Sequence, residues 1–127
     1  MTRLAVAATL FVAANILHSL DHLRQGIDRL ALEVLSAGTL LSIVALIALV
    51  LAVRRDQWAP AVCAATGIAG ALGVAAAHLA PHWSALSDPY PDLGLDALSW
   101  AVMLAEVAAA LVLALAGVRE VARHSTA

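Results

Sequence analysis

His18, Asp21 and His22 stand at i, i+3 and i+4, the spacing that gathers three side chains on one face of a helix. Asn15 continues that stripe by one turn. Two imidazoles and a carboxylate aimed at one point are the residue types that ligate a divalent metal. His78 and His82 form a second pair four residues apart. Pro81 lies between them, removes a backbone donor and disfavours helix at Ala80, so the pair need not share a face. Asp96, Ser99, Met103 and Glu106 make a third stripe at spacings of three and four. Glu106 is its deepest member, about 13 Å along a helix that begins near Ala97, and so is expected at the depth of Asn15. Glu33 and Ser36 add polar groups to the start of another apolar run.

The elements that position these residues are membrane spans. The chain of 127 residues is 63% hydrophobic and only 13% charged. That balance suits lipid as the solvent, since a soluble domain of this size needs polar residues over most of its surface. Four apolar runs, about 4–23, 30–53, 58–80 and 97–118, are each near the ~20 residues that cross a hydrocarbon core. The expected fold is a single all-α domain, an integral membrane four-helix bundle with short connections and one longer Pro/Asp-rich loop, 81–96. Arg3 followed by Leu4 to Ala14 also resembles a signal peptide, but the apolar stretch continues to Leu20 and predicts a retained first span. Arg3, Arg54, Arg55, Arg119 and Arg123 fall on one side of the predicted membrane, with only Arg24 and Arg29 on the other. By the positive-inside rule both termini are cytoplasmic, in a cell membrane, multi-pass.

On this topology the His-bearing ends of the first and third spans and the start of the fourth share the outer face. Trp58 marks the inner interface, and Trp83, Tyr90 and Trp100 gather at the outer one. Asp88 and Asp92, beside Pro89 and Pro91, predict an extended hydrated loop. Asp21 with Arg24, and Glu33 with Arg29, are spaced as interfacial ion pairs. Gly67/Ala71 and Gly73/Ala77 in the third span, and Ala97, Ala101 and Ala105 in the fourth, are small-xxx-small patterns that let backbones approach. Such faces suit helix packing, a homo-oligomer or docking on a larger membrane complex. The lone Cys63 offers no disulfide, and the scattered Arg residues give no basic patch for nucleic acid.

The stretches from His18 to Gly26 and from His78 to Trp83, followed by Asp88 to Asp92, resemble small four-span membrane proteins of high-GC actinobacteria that carry no assigned function. The resemblance covers most of the chain and implies an architecture, not an activity. Function is therefore read from the residues. His18, Asp21, His22, His78 and His82 are the candidate metal ligands, for zinc first and copper or iron next, because the set is imidazole and carboxylate with no thiolate. Glu106 is the candidate general base if the metal activates water for hydrolysis. The zincin pattern His-Glu-x-x-His is absent. The alternatives are a haem-b or quinone-linked electron carrier with His18 and His78 as axial ligands, a proton or metal-ion transporter, and an accessory subunit stapled by metal.

Overall fold

The computed structural model describes residues 1–26 and 30–125. The elements are α1 (Arg3–Gln25), α2 (Leu32–Arg54), α3 (Ala59–His78), a single turn α4 (Tyr90–Leu93) and α5 (Ala97–Ser125), with no strand among the described residues. All but α4 are long and apolar enough to cross a membrane. The chain is a helical membrane protein.

The boundaries follow local chemistry. Thr2 caps α1 by accepting a hydrogen bond from the Ala5 N–H at 3.1 Å, and Gly26 ends it at φ 103°, a conformation that suits glycine. α3 stops at His78, two residues earlier than expected, because Pro81 cannot continue the ladder. α5 runs on to Ser125, past the expected end at 118, since no Gly or Pro after Val118 interrupts it and Arg123 donates to Glu120 at 2.8 Å. Its 29 residues span about 43 Å, more than the ~30 Å of hydrocarbon.

α3 and α5 pack antiparallel and closest. A Cβ added at Gly67 would lie 2.3 Å from the Ala114 nitrogen, and one at Gly117 would lie 2.5 Å from the Ala64 nitrogen. Two glycines thus allow main chain to meet main chain. Gly70 seats the ring of Phe11, bringing α1 against the same seam. α2 joins through Ala45, Ala48 and Ala52, one turn apart on one face, with Cys63 opposite Ala48. The packing stripe on α5 is Ala110, Ala114 and Gly117. The expected Ala97, Ala101 and Ala105 instead face outward. The reason is register: Glu106 and Met103 take the inward face of this part of α5, and the alanines fall on the other. Gly73 likewise meets no neighbour within 4 Å, and neither does Gly38 on α2.

Candidate metal centre

α1 brings His18 and His22 to its final turns, α3 ends on His78, and the three rings meet between the helices. Their ligating atoms all lie within 4.8 Å of one another. Ring centroids are 4.4 Å apart for His18 and His22, 5.1 Å for His18 and His78, and 5.3 Å for His22 and His78. His18 and His78 are 4% and 3% exposed, so two of the rings are out of solvent and lipid alike.

A hydrogen-bonded chain orients His18. Its Nδ1 meets Glu106, whose other carboxylate oxygen accepts from Asn15 Nδ2 at 2.8 Å, and Asn15 Oδ1 accepts from the Ser42 hydroxyl at 2.7 Å. A carboxylate only accepts, so the His18 proton sits on Nδ1 and the Nε2 lone pair is available. At Nε2 the Tyr90 hydroxyl approaches to 2.8 Å and donates. His78 is held in the same way. Its Nδ1 donates to the Asp88 carbonyl at 3.1 Å, which leaves Nε2 free to face the cluster. His22 Nδ1 is buried and has no hydrogen-bond partner among the described residues. An unpaired nitrogen in a closed site costs free energy unless something else contacts it.

The loop 81–96 is not extended throughout as Asp88 and Asp92 beside their prolines predict, although Asp92 and most of its residues are exposed. It folds back because α3 ends with unpaired carbonyls: the Trp83 indole donates to Ala76 O and the Asp88 N–H to Ala77 O, both at 2.8 Å. Ser87 ties the turn together by accepting from the Trp83 and Ser84 amides at 3.1 and 3.2 Å. Gly94, at φ 61°, then turns the chain out of α4. Tyr90 is thereby driven inward, 1% exposed, against His78 and Trp100, with ring centroids 4.6 and 5.6 Å away. It is not the interfacial aromatic its position implies. Burial pushes the Tyr90 phenol up, so the hydroxyl keeps its proton, and burial likewise raises the Asp88 carboxyl.

Of the residues singled out in the sequence, His18, His22, His78 and Glu106 come together, with Asn15 at the expected depth. Asp21 turns to Arg24 at 2.8 Å and to Gln25. Arg24 also donates to both oxygens of Asp96, at 2.9 and 3.0 Å, and to Ser99, strapping α1 to the start of α5. Ser99 therefore serves the strap and not the histidines. His82 is exposed and bonds to Ser87, away from the three rings. Glu33 and Ser36 are exposed, and Ser36 is tied to Leu32 O, so α2 reaches the polar network through Ser42 instead. Arg29, the expected partner of Glu33, lies outside the described residues. Tyr90 and the Asp88 carbonyl escape sequence reading, since a Pro-flanked acidic loop gives no sign of returning into a bundle.

Beside the centre a cleft of about 600 Å³ lies between α1, α2 and α3, reached by His22, His78 and Glu106 at one end. Thr66 also lines it, 3% exposed, with a hydroxyl that has no partner among the described residues.

No known protein family, curated protein or solved structure gives a significant match to this chain.

Proposed function

We propose that the protein binds one divalent transition metal, zinc by preference, through His18, His22 and His78 within an outward-facing membrane site. The observation that carries this reading is the oriented triad: two rings have Nδ1 committed to an oxygen acceptor, and the third presents an unpaired buried Nδ1. Metal-ligating histidines characteristically donate their second ring nitrogen to a carboxylate or a backbone carbonyl, which fixes ring and tautomer. Glu106 and the Asp88 carbonyl supply those two acceptors.

A tetrahedral zinc with Zn–N of about 2.0–2.1 Å holds its nitrogens about 3.3 Å apart. The ligating atoms, within 4.8 Å of one another, would therefore draw together by side-chain rotation to hold it. A metal would be held by the His18 Nε2 that the Tyr90 hydroxyl now faces at 2.8 Å, and the protonated Tyr90 hydroxyl would be placed to orient a water beside it. Three protein ligands with an open fourth position make the pattern of catalytic zinc, which lowers the pKa of its bound water to about 7. Glu106 is then a positioning residue, because one oxygen holds His18 and the other Asn15, and it is less suited to be the general base. A haem between His18 and His78 is disfavoured by the same geometry. Rings in mutual contact, with His22 beside both, leave no slot for a porphyrin plane.

Elemental analysis of detergent-purified protein tests the reading. About one zinc, copper or iron per chain, lost in a His18→Ala/His78→Ala variant, is the expected result. Protein that holds no metal and gains no thermal stability from any divalent ion would refute it.

A further inference from the structure

α2 is a helix of two halves. Its later turns are packed by Ala45, Ala48 and Ala52, whereas residues from Val34 to Val44 line the cleft. The walls there are small and apolar, with Ala37, Gly38, Ala69 and Gly73 among them, and side chains at the two glycine positions would have open space within 4 Å. The volume of about 600 Å³ is that of a small-molecule site. Two buried polar atoms without partners mark its length: His22 Nδ1 at the metal centre, and Thr66 Oγ1 twelve residues before His78 on α3, about 18 Å along the helix. Ile43, Leu46 and Ile47 on the same helix are exposed, and α2 is long and apolar enough to cross a membrane.

We propose that this cleft takes an oxygenated single-chain lipid, in its simplest form a long-chain carboxylic acid, entering sideways from the membrane with its oxygen-bearing head at the open face of the histidine centre. The reading rests on the metal site for the head group and on the cleft for the chain. An inorganic ion would leave the apolar walls uncovered, and a purely hydrocarbon occupant would leave the metal's fourth position and Thr66 Oγ1 unmet. A carboxylate oxygen ligates zinc, the chain covers the small-residue walls, and an oxygen carried further along the chain meets Thr66. This lipid is the substrate or product class of the centre.

Trp83 lines the cleft and is the reporter. In full-length Trp58→Phe/Trp100→Phe protein, loaded with zinc in detergent, dibromostearate should quench Trp83 saturably at one molecule per chain. Gly73 and Gly38 line the cleft and a Cβ at either meets nothing within 4 Å, so Gly73→Leu and Gly38→Leu should each weaken the quenching at least about tenfold while zinc content stays the same. Protein retaining only Trp58, far from the cleft, reports simple partitioning. Quenching that never saturates, or that neither leucine substitution weakens, overturns the proposal while leaving a zinc-bound centre standing. Saturable, leucine-sensitive quenching in protein that binds no metal upholds the cleft and removes the metal-centred function.

Discussion

At the end of the bundle where α2 turns into α3, helices touch backbone to backbone. At the histidine end they stand apart and are joined by side chains. Gly67 and Gly117 bring α3 and α5 together through contacts that no Cβ would tolerate, while Gly38 and Gly73, the same residue type, face open space. The first region gains stability from dispersion across close backbones, the second from interhelical hydrogen bonds such as Asn15 to Glu106 and Ser42 to Asn15. A tight region fixes the helices so that a looser one can keep polar groups and free volume inside a membrane, where such groups are otherwise expensive.

The largest effect that breaks this comparison comes from one substitution made twice. Gly67→Leu places side-chain atoms into the α5 backbone and should cost about 3 kcal/mol or more, read as loss of a monodisperse species in detergent. Gly73→Leu, two turns further on, should fold as wild type. Equal behaviour of the two would mean that the halves do not differ.

Next in size is Glu106→Gln. The amide keeps the volume and the contact to Asn15 but no longer takes the His18 proton as a carboxylate does. Metal affinity should fall about 10–100-fold, while the melting temperature of the metal-free protein moves little. A competitive chelator titration would show it, and unchanged affinity would detach Glu106 from the centre.

Ser42→Ala removes one interhelical bond at the boundary of the two regions and should cost about 0.6 kcal/mol, visible as a small drop in thermal unfolding. A drop several times larger would mark Ser42 as the main tie of α2 to the polar network.

The smallest effect belongs to the surface strap. Hydrogen bonds from Arg24 hold Asp96 at about 2, below its ordinary 3.8. The depressed value means that the folded state favours the ionised carboxylate. Its stabilisation is complete above 3.8 and is lost as pH falls through about 2. Asp96→Asn should flatten that part of the acid limb, only slightly and less at high salt, because the pair is exposed.

The four spans were legible because length and hydropathy alone distinguish a membrane helix. The meeting of His18, His22 and His78 was legible because helical spacing and alternating span direction put them at one level. Asn15 and Glu106 matched by counting rise per residue. What stayed hidden is tertiary. Nothing local distinguishes Gly67, which is buried in a helix contact, from Gly73, which borders a cleft. Tyr90 reads as an interfacial aromatic until the unpaired carbonyls at the end of α3 draw the loop back over the bundle. Asp21 carries a metal ligand's chemistry, yet a guanidinium one turn away claims it.

Zinc X-ray absorption on the purified protein, beside His22→Ala, tests the central claim most directly. Three imidazole nitrogens at about 2.0–2.1 Å, reduced to two or to no bound zinc in the variant, is the predicted result. An all-oxygen shell, or one unchanged when His22 is removed, would contradict the metal centre.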